Sequence, residues 1–362
     1  MPHSSIPSKS ACASPRCTLR SALAAAALVV LGAASPSALA QSFAELAARA
    51  DPARHQRLVE AARREGSVSF YSSVPEKDMA VLAADFEKRY GVKVNTWRAS
   101  TVKVVQRLLA EKRAGRWDFD AVDISGPEME ILYREAVLQE VESEHHRHLL
   151  PETLMAHRGW APQFLSVFVQ AYNTNAVKRA DLPRSYEDLL HPRWKGMLGV
   201  EANDQEWYCG VVKHLGRDKG AKLFRDIVDR NGWSVRNGHT LLNNIVVSGE
   251  VGLGLTVYSY MVDQARSSGA PVDWFAMDPL IGRSNGIGVS RRPAHPNAAL
   301  LFYEYMISDA QPLMVKMNYL SPVIKLATPM KGAKVLFLDP AAPREEMEKC
   351  EAEFSALLKG PK

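Results

Sequence analysis

Three turns rich in hydroxyl side chains follow three strand-like segments in the first part of the chain. The segments run into the pairs Ser72-Ser73, Ser100-Thr101 and Ser125-Gly126. Because a helix is predicted to begin after each turn, unpaired backbone N–H groups lie beside these hydroxyl groups. Such groups bind an anion or a polar solute. Each turn alone is better explained as a helix cap, but the three turns together favour a binding site.

A repeated strand–helix pattern positions these turns. Strand-like composition is found in segments 67–71, 92–97 and 119–124, and the stretch between the first two has apolar residues at helical spacing. Successive βαβ units predict a parallel sheet covered by helices on both faces. Since ligands of such sheets bind beyond the carboxyl ends of the strands, we expect the three turns to lie at one edge.

A second α/β pattern follows the strand-like run Val167 to Tyr172. It contains strands at 197–201, 234–236 and 251–257 with helices between them. The strand Val272 to Ala276 and the segment Gly286 to Ser290 are expected to return the chain to the first part. We therefore predict lobe 1 from residues 41–165 and 273–362, and lobe 2 from residues 166–272. A ligand cleft is expected between the two lobes.

Composition limits the class of protein. The chain has 362 residues, of which 46% are hydrophobic and 23% charged, and only four are cysteine. These values exclude a collagenous, disordered or disulfide-framework protein. No basic run is present beyond the N-terminal region, so nucleic acid is not expected as a partner.

The first 40 residues have the pattern of a secretory signal peptide. Arg16 and Arg20 precede an apolar stretch from Ser21 to Ala34, and Ala38-Leu39-Ala40 supplies small residues for cleavage before Gln41. The apolar stretch is shorter than the ~20 residues of a membrane-spanning helix. We therefore expect an exported, periplasmic protein. Removal of this segment lowers the net charge from +5 to +2.

Two cysteines remain after the predicted cleavage, Cys209 and Cys350. In an oxidising compartment they can form a disulfide, but they belong to no recognisable motif, and two separate buried thiols agree equally well with the sequence.

An ordered set of short motifs resembles the periplasmic solute-binding proteins of ATP-driven (ABC) importers, in the branch that includes ferric-iron-binding proteins. The motifs cover most of residues 55–325 and are VSFYSS at 68–73, FE at 86–87 with YGVKV at 90–94, AYNT at 171–174, PRWKG at 192–196, SGEV at 248–251, AHPNAA at 294–299 and SDAQ at 308–311.

The resemblance implies an α/β fold of the two-lobed type II periplasmic-binding class, each lobe a mostly parallel sheet flanked by helices. It also implies that the lobes close around a solute and dock on an ABC permease in the inner membrane. Neither catalysis nor a cofactor nor a resident metal is expected, and we expect a monomer.

The second lobe must contribute to solute binding. An anionic group gains about 0.3–1 kcal/mol at one helix N-terminus, so three turns do not reach the ~8 kcal/mol of micromolar affinity. Each further candidate is alternatively a core or hinge residue. The candidate ligand-binding residues, added to Ser72, Ser73, Ser100, Thr101 and Ser125, are Gln163, Asn203, Trp207, His239, Tyr258 and Tyr260.

Ferric iron is the alternative solute. Iron binders of this branch have two adjacent tyrosines after the last strand of the second lobe, whereas here Ser259 separates Tyr258 from Tyr260. Residues two apart on a helix point about 200° apart, so the sequence favours a small anionic or polar organic solute over iron. A third hypothesis is an exported transferase-like enzyme on the same two-lobe scaffold. The run His145-His146-Arg147-His148 lacks the spacing of a metal site and is predicted to be a surface segment.

Overall fold

The computed structural model describes residues 53–327, 330, 332–341 and 344–360. The predicted signal peptide, residues 1–40, lies outside these residues. Within the described part of the chain, none of the helices combines the length and the apolar composition that a membrane crossing requires.

The first part of the chain alternates strands and helices, as predicted. Helix α2 begins after Pro75 and ends where Gly91 adopts a left-handed conformation (φ 70°), which glycine reaches without strain. The elements are α1 (Arg54–Glu65), β1 (Ser67–Ser72), α2 (Glu76–Tyr90), β2 (Lys93–Arg98), α3 (Thr101–Arg113), β3 (Ala121–Ser125), α4 (Gly126–Arg134) and β4 (Leu138–Gln139).

A long strand, β5 (Ala161–Asn173), leads into the second α/β part. That part contains β6 (Leu198–Glu201), α5 (Gln205–Leu215), α6 (Arg217–Asn231), β7 (Ser234–Arg236), α7 (His239–Val247), β8 (Leu253–Tyr258), α8 (Ser259–Ser267) and β9 (Val272–Phe275). A second long strand, β10 (Leu280–Ser290), is followed by α9 (Pro296–Ile307), α10 (Gln311–Lys316), β11 (Val335–Phe337) and α11 (Arg344–Leu357).

One mixed sheet connects the two parts, in the order β2-β1-β3-β10-β5-β8-β6-β7. The pairs β2–β1, β1–β3, β8–β6 and β6–β7 are parallel. In the middle, β10 and β5 run antiparallel to each other and to their outer neighbours. We call β2, β1 and β3 the first half of the sheet and β8, β6 and β7 the second half. Strand β9 pairs with Gln170 to Asn173, the C-terminal end of β5. The strand that reaches the first half of the sheet is β10, which pairs with β3.

Aromatic packing and a buried carboxylate fix the helices of the first half. Phe302 of α9 packs on Phe70 of β1 and on Phe86 of α2, with ring centroids 4.8 and 4.9 Å apart. The buried Asp120 carboxylate accepts hydrogen bonds from the Ser69 backbone N–H at 2.8 Å and the His295 backbone N–H at 2.9 Å. The AHPNAA motif thus attaches the start of α9 to β1.

The C-terminal helix packs on the second part of the chain. A disulfide joins Cys209 of α5 to Cys350 of α11, which answers the question that the sequence left open. Phe354 of α11 also lies against Tyr208 and Trp233. Helix α11 therefore sits with α5 and α6, although it falls within the range 273–362 that we assigned to lobe 1.

Candidate functional site

Two of the three hydroxyl-bearing turns lie where adjacent strands end. Ser72, at the end of β1, donates to Oδ1 of Asp123 at 2.7 Å and accepts from the backbone N–H of Val74 at 3.0 Å. The backbone N–H of Ser73 donates to the backbone oxygen of Asp123 at 3.1 Å. Ser125, at the end of β3, donates to the Glu128 carboxylate. The serine hydroxyls are therefore engaged with carboxyl groups of the chain itself.

The third turn is more open. Ser100 is exposed and Thr101 is partly exposed at the start of α3, and the Ser100 side chain makes no capping hydrogen bond. This turn is adjacent to Arg98, whose guanidinium lies 3.4 Å from the backbone oxygens of Ser73 and Val74.

Stacked aromatic rings extend from the second half of the sheet. The Tyr258 ring stacks on His239 at 3.9 Å and on Tyr260 at 5.7 Å, and Tyr260 stacks on Tyr319 at 4.5 Å. The helix-based argument that the two phenols diverge does not apply, because Tyr258 ends strand β8 and only Tyr260 lies on α8. The rings are instead nearly parallel, 16° apart.

Arg283 of β10 connects this aromatic stack to an acidic side chain. Its Nη1 donates to Oε2 of Glu206 at 2.6 Å, and its Nη2 donates to the Tyr258 hydroxyl. The guanidinium carbon lies 5.4 Å from the centre of the Phe168 ring and 5.3 Å from that of Tyr258. A single cationic side chain is thus held between a carboxylate and two aromatic rings.

A second carboxylate orients His239. Nε2 of His239 lies 2.9 Å from Oδ1 of the fully buried Asp204. Glu201 is close to both, but its carboxylate accepts from the backbone and side-chain N–H groups of Asn203 and from the backbone N–H of Gly238. Gly238 has φ 102°, a conformation that favours glycine. Glu201 therefore connects the turn that contains Asn203 to the turn that contains Gly238.

We define the cleft cluster as the polar and aromatic residues that meet between the two halves of the sheet. Tyr319 donates to the Asp78 carboxylate at 2.7 Å, and burial together with Tyr260, Asp78 and Asp123 raises the pKa of Tyr319. Burial opposes the charge of Arg283, but Glu206, Asp204 and Glu128 are close enough to raise its pKa. The members are Asp78, Asp123, Glu128, Gln163, Asp204, Glu206, His239, Tyr258, Tyr260, Arg283 and Tyr319.

Burial dominates the electrostatics of the cleft cluster. It raises the pKa of Asp123 to about 7, against the opposing hydrogen bond from Ser72. Burial and the nearby Glu206 raise the pKa of Glu128, while Arg283 opposes that shift. The pKa values of Tyr258 and Tyr260 are also raised by burial, so both phenols are neutral at pH 7.

Several buried polar atoms in this region have no hydrogen-bond partner. Neither amide atom of the fully buried Gln163 has a well-formed hydrogen bond among the described residues, although a contact with Gln163 opposes the raised pKa of the neighbouring Asp123. Oδ2 of Asp123, Oδ2 of Asp204, Oγ of Ser259 and Nε of Arg283 are likewise unpaired. Because an unpaired buried polar atom costs about 1–3 kcal/mol, their concentration at one place is typical of a binding site.

The structure brings together part of the set expected from the sequence. Gln163, His239, Tyr258 and Tyr260 belong to the cleft cluster, and Ser72 and Ser125 bond directly to its carboxyl groups. Asn203 is exposed in the turn after β6. Trp207 is fully buried among apolar residues including Tyr186 and Phe224, which agrees with the core alternative.

The carboxyl groups and the arginine of the cleft cluster were not among the residues that the sequence predicted for the site. Asp123 and Arg283 stand inside buried strands. A charged residue in such a position is itself a signal, since unpaired charges are seldom buried. Asp78, Glu128 and Glu206 lie in first helical turns, where acidic residues are ordinary. No local pattern distinguishes them.

The histidine run also differs from its prediction as a surface segment. Arg147 and His148 are exposed, but His146 is buried and lies 2.8 Å from the hydroxyl of Tyr303. Burial lowers its pKa to about 4, so it is a neutral core histidine at pH 7.

Comparisons with known proteins agree with this architecture. The family model described as bacterial extracellular solute-binding protein matches residues 137–329. Iron uptake protein A1 of Synechocystis sp. (strain ATCC 27184 / PCC 6803 / Kazusa) is 26% identical over 278 residues, which are 71% of this chain and 76% of that protein.

Solved structures share the fold at lower identity. Iron-bound HitA from Pseudomonas aeruginosa superposes with a TM-score of 0.67 at 18% identity, covering 80% of this chain and 99% of HitA. The substrate binding protein of an ABC transporter from Agrobacterium tumefaciens gives 0.71 at 14% identity, covering 82% and 97%. The chain therefore belongs to the bacterial extracellular solute-binding protein family and has the two-lobed fold of periplasmic binding proteins that its sequence motifs predicted.

Proposed function

We propose that this chain is the periplasmic substrate-binding component of an ABC importer and that it captures a small polar organic solute in the cleft cluster. One observation carries the proposal: side chains from both halves of the sheet meet around buried polar atoms that have no well-formed hydrogen bond among the described residues, including those of Gln163 and Asp204. A solute that pairs with those atoms stabilises the closed arrangement. The family, whose members are carriers, supports this assignment.

Lobe closure is part of the proposal. The halves of the sheet are connected through β5 and β10, which pair from Ala161 to Phe168. We propose lobes with the boundaries predicted from the sequence, except that α11 travels with the second lobe because the disulfide ties it to α5. Cleavage before Gln41, export to the periplasm, a monomeric state and docking on an inner-membrane permease complete the assignment.

The test is direct binding without turnover. The chain without residues 1–40, freshly purified from the periplasm, is analysed by native mass spectrometry for a bound small molecule. The released compound, added back, should raise the melting temperature and be recovered unchanged. Conversion of the compound into a product would instead support the transferase-like enzyme, and the absence of any bound molecule and of any stabilising solute would contradict solute capture.

Ferric iron remains the second candidate, and specific observations favour keeping it. A relative is called an iron uptake protein and HitA is iron-bound. In this chain three phenols are stacked, and one of them, Tyr319, donates to Asp78. Phenolate and carboxylate oxygens are ligands that a hard cation prefers. Protein purified from iron-containing medium would then have a visible phenolate-to-iron absorption band that Tyr258→Phe abolishes. A colourless wild-type protein that still binds an organic solute excludes this candidate.

A further inference from the structure

Three helices that begin at the cleft have a carboxyl group of their own in the first turn. These are Asp78 in α2, Glu128 in α4 and Glu206 in α5. The positive end of a helix dipole is where an anionic solute gains most. Since these ends are already supplied with negative charge, they offer little to an anion. Helices α3, α7 and α8, which begin at Thr101, His239 and Ser259, have no acidic residue in the first turn.

Carboxyl groups outnumber cationic side chains in the cleft cluster, although the raised pKa values of Asp123 and Glu128 reduce the negative charge that these two groups carry at pH 7. Asp123 and Asp204 add two further carboxyl groups, and both are buried. The cations are Arg283, which already pairs with Glu206, and Arg98 at the edge near Tyr260. His239 lies beside Asp204. Buried carboxylates in excess over cations are unfavourable unless a positive group joins them.

Unpaired acceptor atoms point to the same ligand independently of the charge. Asp204 Oδ2 and the Gln163 amide oxygen are buried and have no donor among the residues that the structure describes. Asp123 is also buried, accepts a hydrogen bond from Ser72 and is contacted by Gln163. Ser259, placed between the two tyrosines in sequence, has an unpaired hydroxyl as well. Ammonium and guanidinium groups carry several N–H donors, so they match these acceptors. The unpaired donors, Nε2 of Gln163 and Nε of Arg283, require an acceptor elsewhere on the same solute.

The aromatic surroundings are also suited to a cation. Phe164 lies 4.9 Å from Tyr319 and 6.2 Å from Tyr260, and Phe168 lies 5.1 Å from Tyr258. The faces of such rings attract cations when water is excluded. Arg283 shows this directly, because its guanidinium lies over the rings of Phe168 and Tyr258.

We infer that the solute of this protein is an organic cation, bearing an ammonium or guanidinium group that binds between the carboxyl groups of Asp123, Asp204 and Glu206 and the tyrosine rings. The inference rests on the proposed function, since it names the class of solute for the same cleft. Within the prediction of an anionic or polar solute, it selects the polar alternative and gives that solute a positive charge.

The test separates candidate solutes by charge. Yeast extract is first passed over a chelating resin to remove metal ions and is then divided on ion-exchange resins into cationic, anionic and neutral fractions. The melting temperature of the mature chain is measured with each fraction and, separately, with ferric citrate and inorganic phosphate. The inference expects stabilisation by the cationic fraction. Stabilisation only by the anionic or neutral fraction, by phosphate or by ferric citrate overturns it, while stabilisation by none of them contradicts solute capture itself.

Matched variants locate the effect. Glu206→Gln and Asp123→Asn each remove one carboxylate at nearly constant shape, and each should weaken binding of the compound isolated from the cationic fraction about tenfold. Glu152→Gln changes an exposed acid outside the cleft and should leave that affinity unchanged. Equal affinity in wild type, Glu206→Gln and Asp123→Asn, with all three folded by circular dichroism, overturns the inference.

Discussion

Arg283 on β10 donates to Glu206 in the first turn of α5 at 2.6 Å, and this ion pair links the middle of the sheet to a helix of its second half. Both side chains are largely shielded from solvent, with 14% and 8% of their surface exposed. Glu128, from the first half, also lies within electrostatic reach of Arg283. The pair therefore lies where the two halves of the sheet meet, and the stability lost on breaking it measures how well the cleft is shielded from solvent.

Removing the arginine tests this relationship. Arg283→Met leaves Glu206 without its cation, and the loss of one partner of a buried pair costs about 3 kcal/mol in free energy of unfolding. The measurement is urea denaturation at pH 7. Arg266→Met is the control, because Arg266 pairs with Asp263 and Asp273 at the surface and should cost less than about 1 kcal/mol. If Arg283→Met and Arg266→Met lose similar amounts of unfolding free energy, the pair of Arg283 and Glu206 is not shielded from solvent.

The buried Asp123 should make stability depend on pH. Burial raises its pKa to about 7 in the folded protein, so the folded state binds this proton more tightly than the unfolded chain does, whose Asp pKa is about 4. The stability that the folded protein gains from keeping Asp123 protonated is fully present below about pH 4, and it is lost as the pH rises to about 7. In Asp123→Asn this loss disappears. The variant should therefore gain up to about 4 kcal/mol relative to wild type between pH 4 and pH 7.

Denaturation of both proteins across that pH range provides the check. Asp229→Asn, at an exposed position, is the control and should follow the wild-type curve. Parallel curves for wild type and Asp123→Asn would mean that the carboxyl group titrates normally.

Gln163 should lower the stability of the solute-free protein while contributing to solute binding. Neither of its buried amide atoms has a well-formed hydrogen bond among the described residues, and its polar neighbour is Asp123. Gln163→Met therefore removes a desolvation cost and should raise the free energy of unfolding of the solute-free protein by about 1–2 kcal/mol. Gln170→Met is a matched control, because the Gln170 amide accepts from Met277 and donates to Leu255. That substitution should destabilise the protein by about 1–3 kcal/mol. A loss of stability in both variants contradicts the assignment of Gln163.

The disulfide should stabilise the second part of the chain. Cys209 and Cys350 are 141 positions apart, and α11 is otherwise held by packing on α5 and α6. Closing so long a loop is worth about 2–4 kcal/mol, so Cys350→Ser should lose this amount in denaturation without reductant. In dithiothreitol the wild type and the variant should become equal. A wild-type protein that is indifferent to reductant would refute the bridge in solution.

The sequence predicted the local elements well because their signals are local. The helix from Glu76 to Tyr90 and the strands beside it follow from apolar spacing, proline and Gly91. The antiparallel pairing of β5 with β10 joins segments more than a hundred residues apart, and no pattern within either strand specifies it. The position of α11 depends on the disulfide and on Phe354, which are equally non-local.

For the site, the sequence indicated where the turns lie but not what they hold. Ser72 and Ser125 were expected to face a solute, whereas the structure shows their hydroxyls bonded to Asp123 and Glu128. An acidic residue in the first turn of a helix is ordinary. Only the three-dimensional arrangement shows that several of them converge on one cleft, and this convergence changes the expected charge of the solute.

Native mass spectrometry of the wild type and of Gln163→Met, purified in parallel from the periplasm, tests solute capture most directly. The account predicts one small molecule bound to each wild-type chain, recovered chemically unchanged after release, and absent from the folded variant. Equal occupancy in both proteins, or a wild type that neither retains nor rebinds any small molecule, would contradict it.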